Sequence, residues 1–145
     1  MPQYSPLLGP VVALICWSLV MWLWMYFTRI PAILKAGMTL DPNAPRGEQM
    51  DQLPPPVRWK ADNYNHLMEQ PTLFYPLIIA LVLMGEQGSI TMILAWSYVV
   101  LRVAHSLVQA LINKVELRFA VYLLSNIPLF ALTAIAAVLF MRQMH

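Results

Sequence analysis

Long apolar stretches alternate along the chain with shorter polar segments, which is the pattern of a protein that crosses a membrane several times. The pattern predicts helices at residues 7–30, 57–84, 89–112 and 117–141, with a loop at 31–56. A helix rises about 1.5 Å per residue, so about 20 residues cross a hydrocarbon core of about 30 Å. We therefore predict an all-α integral membrane protein, a bundle of four transmembrane helices that forms a single domain over residues 1–145.

Prolines and polar residues set the limits of the first two predicted helices. We expect Pro31 to end the first helix, because a proline inside a helix removes a backbone hydrogen bond. The apolar part of the second helix, 72–85, is too short to span unless the helix begins near Val57. The segment ADNYNHLMEQPTLFYP at 61–76 would then be helical at membrane depth. Its polar side chains would have to face protein or a water-filled cavity.

Polar side chains recur at helical spacing on three of the predicted helices. Residues three or four positions apart lie on one helix face, so each set forms a stripe. The stripe on the second helix consists of Arg58, Asp62, Asn65 and Glu69, with Asn63 and His66 beside it. The stripe on the third helix consists of Arg102, His105 and Gln109, and Asn113 and Glu116 extend it. The stripe on the fourth helix consists of Arg118, Tyr122 and Ser125, with Asn126 beside it.

Arg102 lies deep in the third predicted helix, in its second half but well before its end at residue 112. An arginine at the centre of a membrane costs roughly 2.5 kcal/mol or more on insertion scales, so it requires a partner. Glu69 on the neighbouring helix is the partner we expect. A buried Glu–Arg pair can equally serve only to fix the helix register, and His105 suits packing as well as catalysis.

Four arginines lie toward one end of the predicted bundle with few acidic residues nearby: Arg29, Arg58, Arg102 and Arg118. The planar guanidinium group binds carboxylates through two parallel hydrogen bonds. This arrangement indicates a receptor for an anion with several carboxylates.

The composition narrows the class of protein further. Charged residues make up 11% of the chain against about 25% in an average soluble domain, which favours lipid as the solvent. A net charge of +2 gives no case for nucleic-acid binding. The single cysteine, Cys16, excludes a disulfide within the chain and a thiolate metal site. Asp41, Glu48 and Asp51 lack the spacing of metal ligands, so we expect no metal.

The positions of lysine and arginine predict the orientation in the membrane. The first loop and its flanks carry Arg29, Lys35, Arg46, Arg58 and Lys60, and the third connection carries Lys114 and Arg118. The N-terminus and the turn at 85–88 carry none, and the C-terminus carries only Arg142. We expect the first and third connections in the cytoplasm and both termini outside it.

Two short motifs resemble those of a known family. Glu69, Pro71 and Phe74 form an E-x-P-x-x-F element, and residues 102–105 read R-V-A-H. In this order and on these helices, together with Arg118, they resemble the MAPEG family, the membrane-associated proteins in eicosanoid and glutathione metabolism, in a bacterial-type member. The resemblance covers nearly the whole chain. It implies a homotrimer of four-helix subunits that binds glutathione between neighbouring subunits near the cytoplasmic side.

The resemblance also implies roles for individual residues. Arg118 matches the arginine proposed to stabilise the glutathione thiolate, and so becomes the expected catalytic residue. The expected glutathione-binding residues are Arg29, Arg58, Asn65, His66, Glu69, Arg102, His105, Gln109 and Tyr122. Many members have asparagine in place of His66, arginine in place of Asn65 and tyrosine in place of Gln109.

The resemblance implies a membrane-bound glutathione S-transferase or peroxidase that acts on lipophilic electrophiles, with glutathione as cosubstrate. A free thiol has a pKa of about 8.5, and a guanidinium group in a medium of low dielectric favours the thiolate. We expect such an enzyme in a bacterial inner membrane, surrounded by lipid, with both termini periplasmic. Two alternatives remain open: a non-catalytic lipid-binding or scaffold protein of the same fold, and a small channel or transporter.

Overall fold

The computed structural model describes residues 4–45 and 47–144, and its described part is built from helices. Helix α1 is Leu8–Ala36, α2 is Pro55–Leu67, α3 is Pro71–Leu83, α4 is Ser89–Leu107 and α5 is Val115–Gln143. A short 3₁₀ turn at Met50–Gln52 precedes α2, and a π-helical segment at Val108–Ile112 continues α4. Arg46, one of the residues behind the predicted orientation, lies outside the described residues.

Four segments are long and apolar enough to cross a membrane: α1, the pair α2 and α3 taken together, α4 with its π-helical extension, and α5. This confirms the predicted all-α membrane bundle. Large apolar side chains point outward along these segments; Phe27, Leu83 and Phe130 are each more than 70% exposed. A surface of this kind is stable only against lipid or another apolar partner.

Helix α1 does not stop at Pro31. It continues through this proline to Ala36, and Gly37 ends it in the left-handed conformation with φ of 61°. The predicted end at Ile30 was therefore wrong. Proline removes only one backbone donor, and prolines are tolerated in membrane helices where neighbouring groups compensate. The residues that follow, Ala-Ile-Leu-Lys-Ala, are mostly good helix formers, so the helix resumes.

The second predicted helix is divided in two. A turn at residues 68–70 separates α2 from α3, and Pro71 is the first residue of α3. Pro71 has no N–H to donate to the carbonyl of Leu67, and its ring crowds that carbonyl. The prediction of one unbroken helix was wrong at these three residues. The consequence for the site is that Glu69 lies in the turn instead of on a helix face.

The core forms where the helices meet in the middle of the bundle. Helix α5 packs along α4, and α1 packs against α2. Phe74 of α3 stacks on Tyr98 of α4 with 4.5 Å between the ring centroids. Leu14 of α1 and Leu132 of α5 are fully buried. This packing holds α2, α4 and α5 side by side at the end of the bundle that carries the polar stripes.

Candidate functional site

A cavity of about 230 Å³ opens between α2, α4 and α5 at the polar end of the bundle. Its polar lining is made by four of the residues expected to bind or activate glutathione: His66, His105, Arg118 and Tyr122. Val115 and Phe119 of α5 supply the apolar part of the wall. The cavity therefore combines a cation, two imidazoles and a phenol with an apolar surface.

Three helices bring the polar residues of this first cavity together. Arg118 and Tyr122 are one helical turn apart on α5, so they share a face. The His105 ring of α4 lies between the other two aromatic groups, with its centroid 6.1 Å from that of His66 and 6.0 Å from that of Tyr122. His105 is buried, whereas His66 is partly exposed. The stripes that the sequence placed on separate helices thus converge.

Arg118 is held in place by a neutral partner. Its Nη1 donates a hydrogen bond of 2.8 Å to Oδ1 of Asn113. Neither of the ion pairs found within the described residues includes Arg118. An amide oxygen can orient the guanidinium group without cancelling its charge. Arg118 therefore presents a full positive charge in the cavity wall.

Asn113 owes its position to the π-helical segment at the end of α4. It adopts the left-handed conformation, with φ of 51°, and its N–H donates to the carbonyl of Val108 at 2.7 Å. Asparagine tolerates this conformation better than most residues. Single π-helical turns within helices are frequent at functional sites. In the sequence Asn113 extends a polar stripe and has no predicted role. An asparagine between two predicted helices is a signal for such a left-handed turn.

Arg102 does not line the cavity but lies behind its wall, with 1% of its surface exposed. Its Nε donates to the Tyr98 hydroxyl at 3.1 Å, and its guanidinium carbon is 5.3 Å from the ring centroids of both Tyr98 and Tyr122. Such cation–π contacts replace part of the hydration that the buried cation loses. The Nη2 atom has no partner in the described residues.

The expected pairing of Arg102 with Glu69 was wrong. Glu69 instead places its Oε2 3.1 Å from Nδ1 of His66, and two thirds of its side chain is exposed. The reason is the turn before Pro71, which removes Glu69 from the helix face that packs against α4. The rings of Tyr98 and Tyr122, instead of the expected Glu69 carboxylate, are the groups that contact the Arg102 guanidinium.

Gln109 is fully buried and does not line the cavity. It belongs to the π-helical segment, and neither of its side-chain amide atoms has a partner in the described residues. One turn earlier, Ser106 accepts a hydrogen bond of 2.6 Å from Nδ2 of Asn63, which ties α2 to α4. The structure therefore does not bring Gln109 to either cavity described for this end of the bundle.

The remaining expected ligand residues line a second cavity of about 300 Å³ on another face of α2. Arg29 of α1 and Arg58 and Asn65 of α2 contribute to its wall. Nη1 of Arg58 is 3.7 Å from Oδ1 of Asp51. The Arg58 side chain is partly exposed and that of Asp51 is well exposed, so this ion pair adds little stability. Within one chain, seven of the ten expected site residues are thus divided between two cavities, and Glu69, Arg102 and Gln109 line neither.

Of three comparisons with known proteins, one gives a match. A model of the MAPEG family matches residues 7–138, which is nearly the whole chain. No curated protein and no solved structure is similar enough to the chain to count as a match.

Proposed function

The chain belongs to the MAPEG family, the membrane-associated proteins in eicosanoid and glutathione metabolism, and from this membership we propose that it is a membrane-bound glutathione S-transferase or peroxidase. It would join lipophilic electrophiles to the glutathione thiolate, or reduce them with it. The observation that carries the proposal is Arg118, which lines the cavity between three helices and is bound by the neutral Asn113.

The chemistry of the first cavity suits a thiol. The positive charge of Arg118 would favour the thiolate over the thiol, and each unit by which a thiol pKa falls corresponds to about 1.4 kcal/mol. The thiolate is the nucleophile that attacks an electrophile dissolved in the bilayer. The apolar wall formed by Val115 and Phe119 offers that electrophile a surface next to the sulfur.

We propose that the complete site forms between subunits of a homotrimer. Cavities that enclose small ligands usually have about 300–1,000 Å³, and the first cavity, with about 230 Å³, is below that range. Glutathione carries two carboxylates, whereas this cavity offers only one arginine in its wall. The second cavity of a neighbouring subunit would supply Arg29 and Arg58. This supports a shared site, with the trimer as part of the proposal.

The same residues support an orientation in the membrane. Arg29 near the end of α1, Arg58 at the start of α2 and Arg118 at the start of α5 lie toward the end of the bundle that holds the first and third connections. Basic residues favour the cytoplasmic side of a membrane. We propose that glutathione enters from the cytoplasm of a bacterial cell, and that both termini face the periplasm.

The direct test uses the purified protein in lipid nanodiscs. We expect added glutathione to produce the ultraviolet absorbance of a bound thiolate at neutral pH, and a chlorinated nitroaromatic to be conjugated by it. Absence of both signals would contradict the enzyme function. If both signals are absent and a lipid copurifies in stoichiometric amount, the result would favour the non-catalytic lipid-binding alternative. Solute flux in liposomes would favour a channel.

Replacement of Asn113 by glycine isolates the contribution of its side chain. Glycine keeps the left-handed backbone of this turn and removes only the acceptor for Arg118. Hydrogen bonds to charged groups contribute about 1.5–3 kcal/mol, so we expect the Asn113→Gly variant to conjugate about tenfold more slowly or worse. The measurement is the initial rate at saturating glutathione.

Two further variants control the Asn113 experiment. Asn43→Gly, in the exposed first loop, should conjugate at the rate of the wild type. In an Arg118→Ala background, Asn113→Gly should have no additional effect, because Asn113 acts through Arg118. An undiminished loss in that background would show that Asn113 acts through the backbone instead.

A further inference from the structure

A histidine and a carboxylate form a pair at the edge of the first cavity. His66 lines the cavity, and its Nδ1 is 3.1 Å from Oε2 of Glu69. A carboxylate at this distance favours the imidazole form with its proton on Nδ1, which leaves Nε2 with a free lone pair. It also fixes the orientation of the ring, as the aspartate does in a Ser-His-Asp triad. The pair is therefore arranged to accept and return a proton at Nε2.

None of the other groups that face His66 in the described part of the chain is a histidine paired with a carboxylate. At the end of its own helix, Glu69 is the partner already described. From α4 comes the buried His105, whose ring lies against Tyr122, and from α5 come Arg118 and Tyr122. The side chain of His66 is 42% exposed, so it can also exchange protons with water. Within the described residues, the ion pairs contain one histidine, and it is His66.

We propose that His66, oriented by Glu69, carries a proton from the thiol of glutathione to the leaving oxygen of a hydroperoxide, and that the site is thereby suited to the reduction of hydroperoxides. This inference rests on the proposed function. It adds a catalytic residue with a role that differs from that of Arg118: Arg118 stabilises the negative charge on sulfur, and His66 moves the proton.

The steps balance as follows for a hydroperoxide ROOH. Nε2 of His66 accepts the thiol proton, and the thiolate sulfur attacks the terminal peroxide oxygen. The S–O bond forms while the O–O bond breaks, so the peroxide gains two electrons and the sulfur loses two. The alkoxide RO⁻ takes the proton from His66, which gives the alcohol ROH and the sulfenic acid of glutathione. A second glutathione converts the sulfenic acid to the disulfide and water.

The two reactions of the proposed enzyme differ in what they require of the leaving group. An alkoxide is a strong base and leaves readily only when it is protonated. Chloride leaves a nitroaromatic without a proton. A positioned acid or base contributes about 10²–10⁴-fold where a proton moves in the transition state. Loss of His66 should therefore slow peroxide reduction far more than conjugation.

The test compares both reactions in one preparation of full-length protein in nanodiscs, with an aromatic hydroperoxide and a chlorinated nitroaromatic as substrates. The readout is the ratio of the peroxide rate to the conjugation rate, because weaker glutathione binding lowers both rates together. We expect His66→Asn to lower this ratio about 100-fold and Glu69→Gln to lower it about tenfold. Met68→Ala, at an exposed residue of the same turn that lines neither cavity, should leave the ratio at its wild-type value.

Each result decides a different question. An unchanged ratio in His66→Asn overturns the inference, and so does an equal fall in Met68→Ala, which would indicate a disturbed turn as the cause. Wild-type conjugation without peroxide reduction overturns the inference and leaves the proposed function intact. Absence of both reactions and of glutathione binding removes the proposed function, and the inference fails with it.

Discussion

We expect the Arg118→Ala variant to lose at least 99% of its conjugation rate at neutral pH. The guanidinium group faces the cavity with its charge unpaired, so its removal leaves the thiolate without its nearest counter-charge. Removal of one preorganised group that stabilises a negative charge typically costs about 10²–10³-fold in rate. The absorbance of bound thiolate should disappear in the same variant, while glutathione itself is retained more weakly. The measurements are the initial conjugation rate and the ultraviolet difference spectrum.

Two further arginine variants sharpen this experiment. Arg118→Lys keeps a positive charge but loses the planar guanidinium group that donates to Asn113, so we expect a conjugation rate between those of the wild type and Arg118→Ala. Arg142→Ala removes an exposed arginine from the far end of the same helix, and it should conjugate at the wild-type rate. A fully active Arg118→Ala variant would remove Arg118 from the role we propose for it.

The second large effect concerns the replacement of Arg102 by methionine. We expect this change to favour membrane insertion of the isolated segment but to destabilise the folded protein. Arg102 is near the middle of the segment Ser89–Ile112, where arginine costs about 2.5–3.5 kcal/mol on insertion scales. We expect Arg102→Met to lower the apparent free energy of insertion of this isolated segment by about that amount. The measurement is the inserted fraction of the segment in a glycosylation-mapped translocon assay, and Arg102→Lys, which keeps the charge, is the control.

In the folded protein the same Arg102→Met variant should be less stable than the wild type. It loses the hydrogen bond to the Tyr98 hydroxyl and the cation–π contacts with two rings, and it leaves that buried hydroxyl unpaired. A buried hydrogen-bond acceptor that loses its donor costs about 1–3 kcal/mol. Addition of Tyr98→Phe should recover part of the loss. Equal or greater stability of Arg102→Met in mild detergent denaturation would contradict this account of how the cation is accommodated.

Much of the fold follows from hydrophobic patterning alone, because an apolar stretch that spans a bilayer has few alternatives to a helix. The limits of the helices were harder to predict, and the errors concern proline. The chain continues through Pro31 but breaks before Pro71. Both residues lack the same backbone donor. After Pro31 a run of good helix formers lets the helix resume, whereas Pro71 follows a turn at residues 68–70, so the proline by itself does not decide the outcome.

The candidate site was predicted in part. Helical spacing correctly grouped Arg118 with Tyr122, because residues four apart share a face of any helix. Asn65 and His66 were taken together as ligand residues, yet the structure directs them to different cavities. Neighbouring residues on a helix point about 100° apart, so they face different neighbours as soon as the helix is packed on both sides.

The sequence by itself determined that this chain forms a bundle of membrane helices in the MAPEG family, with arginines at the end of the bundle that carries the polar stripes. Those properties depend on hydropathy, helical period and short motifs, all of which are local. Only the tertiary structure decided which charge has which partner: Arg102 with two tyrosines, Glu69 with His66, and Arg118 with Asn113. The physical reason is that spacing along the chain allows several partners, and the turn before Pro71, the left-handed residue Asn113 and the packing of α5 on α4 decide which of them lies within reach.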